Sequence, residues 1–134
     1  MIQGGRRTAP QSRPVPRAVR AMKRPVWVTN EQQWRSHCRK IRARARDLTE
    51  GRIGVISAAR EFSGLAQWVR ALNDPDFTTF IGIASESDHL PVGSVRKEWA
   101  PEALSEKDCE IRQLEDRWRE RAQDAARNLS EKYA

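Results

Sequence analysis

Apolar residues recur at Trp34, Cys38, Ile41, Ala45 and Leu48, in steps of 4, 3, 4 and 3. That spacing returns each side chain to one face of a helix with about 3.6 residues per turn. It fits no face of a strand, where the period is two. Signals bound the stripe at both ends. Thr29 and Asn30 are good N-caps, and Gln32 or Gln33 stands where a capping box places its glutamine. Gly51 supplies the stop. The pattern predicts a helix over 31–49.

Other stretches of the chain repeat the theme. Val55, Ala59, Phe62, Ala66 and Val69 form a second stripe, widened by Ala58, Leu65, Trp68 and Leu72. It predicts the most buried helix of the chain, running to about Leu72. Its start is open, because Arg52–Ile56 reads equally as helix or extended chain. Gly64 costs about 1 kcal/mol against Ala in a helix interior, so Ser63-Gly64 marks a close helix approach or a bend. Asn73-Asp74-Pro75-Asp76 is a turn, or a cap with proline in the first helical position. Phe77, Phe80, Ile81 and Ala84 then keep helical spacing, although Thr78–Ile83 has β-favouring composition. The spacing favours a short helix over 77–84. Ser85–Trp99, broken by Pro91 and Gly93, reads as mostly irregular. Pro101 opens a long helix to about Leu129, on Ala103, Leu104, Ile111, Leu114, Trp118, Ala122, Ala125 and Leu129. The fold class is therefore all-α: a small bundle of three to four helices with a long C-terminal helix. The faces bearing Trp34, Trp68 and Trp118 are expected to meet in its core.

Charge divides the chain differently. The total is +7, but residues 1–25 hold seven of the 25 bases and none of the 18 acids. The remaining body is neutral. Residues 1–25 carry Pro10, Pro14, Pro16 and Pro25 among scattered arginines and read as a disordered basic leader. Met22 offers a second start that would remove most of it. The prolines break the amphipathic helix of a transit peptide, and the apolar core of a secretory signal is missing. The body, 26–134, reads as a single helical domain. No run of about 18 apolar residues suggests a membrane helix, and two distant cysteines fit reduced thiols in a cytoplasmic protein.

Inside the neutral body the charge is polarised. Arg35, Arg39, Arg42 and Arg46 share one face of the first helix, and residues 31–46 carry net +5. Glu98 to Asp124 holds nine acids against five bases, a net of −4. Two readings follow. The arginine stripe could track nucleic-acid phosphates, with Trp34 stacking on a base. Alternatively, the basic and acidic helices pack together.

Ser85-Glu86-Ser87-Asp88-His89, with Arg96 and Trp99, gathers the other polar side chains of interest. Two carboxylates beside an imidazole could do acid–base work if burial shifted their pKa values. Such close neighbours need a sharp turn to converge, and there is no G-x-S-x-G elbow. The local alternative has Ser87 and Asp88 making turn hydrogen bonds and Arg96 pairing with Glu86 or Asp88. No catalytic residue is assigned. A zinc site would need His37, Cys38, His89 and Cys109 to converge, yet His37 and Cys38 point about 100° apart on one helix. No metal or cofactor is expected. Gly51-Arg52-Ile53-Gly54 matches the GxxG loop of KH domains, but lacks their βααβ surroundings.

The pattern Ser85-Glu86-x-Asp88-His89-Leu90-Pro91-x-Gly93-x-Val95-Arg96-x-x-Trp99 resembles a family of small bacterial domains of unknown function. The likeness runs from about Trp34 to Leu114, through Gly54-Val55-Ile56 and Ala58-Ala59-Arg60. It implies a bacterial cytosolic protein whose body excludes the leader, and it brings no activity. The functional expectation is a non-enzymatic protein-interaction module that meets an unknown protein partner through Glu86, Asp88, His89, Arg96 and Trp99. The alternative is RNA or DNA binding through Arg35, Arg39, Arg42 and Arg46 with the leader.

Overall fold

Asn30 starts the first helix, α1 (Glu31–Thr49), and its Oδ1 accepts the backbone N–H of Gln33 at 3.0 Å. Such a cap is worth about 1 kcal/mol. The computed structural model describes residues 24–134, so the expectation for 1–25 lies outside them apart from Arg24 and Pro25. The buried residues of α1 are Trp34, Cys38, Ile41, Ala45 and Leu48, the five of the stripe. Gly51 ends the helix at φ 78, with its N–H donating to Leu48 O and the Arg52 N–H to Asp47 O. This is a Schellman turn, and its left-handed position is where glycine belongs.

The second helix, α2 (Val55–Trp68), buries Val55, Ile56, Ala58, Ala59, Phe62, Leu65 and Ala66. It stops four residues short of the expected Leu72. The stop is another Schellman turn, but Arg70 occupies the left-handed position at φ 53. The Arg70 N–H donates to Gln67 O, and the Ala71 N–H to Ala66 O. Leu72 is therefore carried off the stripe and is 50% exposed. Trp68, expected in the core, is 61% exposed. It stands six residues after Phe62, about 120° around the helix from the buried centre. Gly64 faces open space, so it marks no close approach of helices.

Asp74 caps α3 (Pro75–Glu86), accepting the Asp76 N–H at 2.9 Å, with Pro75 in the first turn. The helical reading of this segment holds: Phe77, Phe80 and Ile83 form its buried face. A 3-10 helix, η1 (Gly93–Glu98), follows, and α4 (Pro101–Lys132) closes the described chain. Among the described residues there is no strand. The fold is all-α.

α2 packs most extensively on α3, and α1 on α4, with α4 also reaching α2 and α3. The centre of the core is phenylalanine rather than tryptophan. Phe62, Phe77 and Phe80 are fully buried, and the Phe62 ring lies 4.5 Å from Phe80 and 6.2 Å from Phe77. Of the three tryptophans expected to meet, Trp34 is buried, Trp118 is half-buried and Trp68 is exposed.

α4 binds the other elements by polar side chains as well as by its apolar stripe. Glu115 Oε2 accepts the Ile56 N–H at the start of α2. Gln123 donates to Leu48 O at the end of α1. Asn128 and Lys132 reach Asp76 at the start of α3, and Lys132 also reaches Asp74. Burial works against the Lys132 ammonium, but its hydrogen bonds to Asp74 and Asp76 outweigh this and hold its pKa above the usual value.

Candidate functional site

The segment between α3 and α4 is a strap tied down on two sides. Arg60 of α2 donates to Ser87 O at 2.6 Å and to Leu90 O at 2.9 Å, satisfying two carbonyls of the turn. The Ser87 side chain is fully buried, and its hydroxyl donates to Ile83 O at 2.7 Å. Leu90 plugs into the core.

The other side of the strap is held by α4. Glu86 Oε1 accepts from Trp118 Nε1 at 2.9 Å and from Arg117 at 3.2 Å. His89 Nε2 meets Glu110 Oε2 at 2.6 Å. Arg96 makes a two-pronged pair with Asp108 at 2.7 and 3.0 Å, and also donates to Pro91 O. This corrects the expected pairing of Arg96 with Glu86 or Asp88, because η1 aims the guanidinium at α4. The Arg96 hydrogen bonds hold the Asp108 carboxyl below its usual pKa, and the hydrogen bond with His89 does the same for Glu110.

Acid–base convergence does not form. The α4 partners of His89 and Glu86 stand seven or more residues apart, about 10 Å along the helix. The Asp88 side chain is 83% exposed, with its carboxylate 4.0 Å from the His89 ring. Trp99 is half-buried and ends η1, donating its N–H to Arg96 O. Of the five strap residues singled out by sequence, three already direct their polar atoms at α4.

The arginine stripe is partly gathered. Arg35, Arg39 and Arg42 line a hollow of about 140 Å³ with Trp34, Cys38 and Tyr133. Arg42 donates to Tyr133 O at 2.8 Å, and Arg35 pairs with Glu31 one turn back. Arg46 is exposed and lies outside the hollow. α1 and α4 do pack together, as their opposite charges suggested. The ion pairs of Arg44, however, run to Asp47 and to Glu61 of α2.

A site that sequence reasoning missed lies at the start of α1, next to this hollow. Trp27, Trp34, His37, Gln67, Trp68 and Arg70 line a cleft of about 340 Å³, backed by 28–30 and Gln33. The His37 and Trp68 rings stack at 5.3 Å and 17°, across the α1–α2 junction. The Arg70 guanidinium lies 4.5 Å over the Trp27 ring. Trp34 Nε1 and His37 Nε2 are buried without a hydrogen-bond partner among the described residues. The lining contains no carboxylate. The signals were present but separate: a tryptophan before the Asn30 cap, and another at the edge of the α2 stripe.

Among the described residues, no three His, Cys, Asp or Glu gather where they could hold a metal ion. Cys38 is buried on the α1 stripe and Cys109 is exposed. No described helix is long and apolar enough to cross a membrane. No family model, curated protein or solved structure matches this chain.

Proposed function

We propose that the chain is a non-enzymatic protein-interaction module of the bacterial cytoplasm, and that its principal contact is the tryptophan cleft. One observation carries this reading: Trp68 is 61% exposed and stacked on His37 at the wall of that cleft. Tryptophan and arginine dominate the energetics of protein interfaces, and here Trp27, Trp68 and Arg70 sit together. The strap has a secondary part, because Asp88 and Val95 are exposed while Glu86, His89 and Arg96 direct their polar atoms at α4. A photo-crosslinking residue at position 68 of the full chain, expressed in the native host, tests the reading. A protein adduct that competes with wild-type chain is the expected result. The absence of any protein adduct at 68, with crosslinks elsewhere, would discard it.

Nucleic-acid binding is the second reading. It is favoured by the hollow of Arg35, Arg39 and Arg42, which shares Trp34 with the cleft and so sets cations beside an aromatic ring. It requires residues 26–134 to bind single-stranded RNA or DNA at low salt, with affinity falling steeply as salt rises. A flat titration at low salt would dispose of it.

A further inference from the structure

We infer that the tryptophan cleft receives a carboxylate from an acidic segment of the partner protein. The inference rests on the protein-binding reading above and names the chemistry of its occupant.

The donors decide the sign. An indole N–H can only donate, so the buried Trp34 Nε1 calls for an acceptor. His37 Nε2, buried in the same wall, lacks a partner too. Buried polar groups are almost always hydrogen-bonded, so two orphans on residues of one cleft wall are a specific demand. Both atoms lie beneath the cleft surface, so a ligand oxygen meets the indole demand as the wall parts to admit it.

Charge points the same way. Arg70 brings a guanidinium to the wall, and no acid in the lining opposes it. Arg70 holds this place in a left-handed conformation at φ 53, which only glycine adopts without cost. The stacked His37 and Trp68 rings give the hydrocarbon stem of an acidic side chain an apolar floor.

A phosphate oxygen is also an acceptor, but a nucleic-acid backbone is held by a run of cations. The cleft wall offers one arginine. A protein carboxylate is the better match.

The test follows indole N–H signals of the full-length chain by NMR while probes are added. The probes are a short degenerate peptide library of Asp and Glu among Leu and Phe, its Asn and Gln counterpart, and a thymidine oligonucleotide. The acidic library should shift the Trp34 and Trp68 signals and bind at least about tenfold more tightly than its amide counterpart. Trp34→Phe, which keeps a ring and removes the donor, should weaken the acidic library by about tenfold. Trp68→Ala, at an exposed position, reads the same site if the Trp34 variant folds poorly. Equal binding of the two libraries overturns the inference, and so does an oligonucleotide that alone moves the Trp34 signal. The two levels separate cleanly. A protein crosslinked at position 68 through a segment without carboxylates sinks the inference and leaves the protein-binding reading standing. Acidic-peptide binding with no protein adduct sinks both, since the inference places the carboxylate on a partner protein.

Discussion

Glu115 of α4 accepts the backbone N–H of Ile56 at 3.1 Å, and so caps a helix 59 positions away. Gly54, the N-cap of α2, has no side chain to do this. A Cβ on Gly54 would stand 2.7 Å from Glu115 Oε2. The missing side chain and the long-range cap are one device, and they explain the second glycine of Gly51-Arg52-Ile53-Gly54 without any KH loop.

Glu115→Ala should therefore destabilise the fold by about 1 kcal/mol, the usual worth of an N-cap. Gly54→Ala should cost a comparable amount by displacing that carboxylate. The double variant should cost clearly less than the two added, because both remove the same contact. Urea denaturation of the four proteins measures this, and strict additivity would contradict it.

The two left-handed helix ends should respond in opposite directions. Gly51→Ala forces a Cβ into φ 78 and should cost about 1 kcal/mol. Arg70→Gly relieves φ 53 but gives up the contact over Trp27. Its net effect should be neutral to stabilising, by less than about 1 kcal/mol. Thermal melts would decide, and a large loss on Arg70→Gly would show that the cation–ring contact outweighs the strain.

The strap should loosen in acid. Asp108 and Glu110 have folded pKa values below their unfolded ones. Their contribution is therefore present above the ordinary carboxylate range and is lost as pH falls through the lowered folded values. Amide exchange of residues 87–99, corrected for intrinsic rates, should lose protection at the acid end before α1 and α2 do. Arg96→Met should bring that loosening to neutral pH. Unchanged protection in the variant would mean that Arg60 and Leu90 hold the strap unaided.

The aromatic residues should divide sharply by position. Phe62→Ala empties a fully buried site between Phe77 and Phe80, and should cost about 3–5 kcal/mol. Trp68→Ala removes a larger ring from an exposed position and should cost less than about 1 kcal/mol. Near-equal losses would place Trp68 in the core after all.

Most of the helical scaffold was legible because its signals are local. Asn30, Asp74 and Gly51 mark helix ends, and each stripe keeps one period. The end of α2 was not legible, because a left-handed Arg70 has none of the sequence signature a glycine would give. The pairing of Arg96 was misread for a related reason. Its nearest acids along the chain are not its nearest in space, and only the path of η1 brings it to Asp108. The cleft was not legible as a unit because Trp27, His37 and Trp68 come from three separate stretches, and none breaks the pattern of its own stretch.

The reach of α4 also bears on how the chain is made. Synthesis delivers α1, α2 and α3 before the helix that carries Glu115, Gln123, Asn128 and Lys132. Until then α2 has no cap at its first turn, Asp74 and Asp76 have no ammonium beside them, and the strap is held from the α2 side alone. The earlier helices can collapse around Phe62, but their ends stay open. The joining of these helices therefore waits on α4, and a nascent chain stalled before α4 should be the species most exposed to proteases and chaperones.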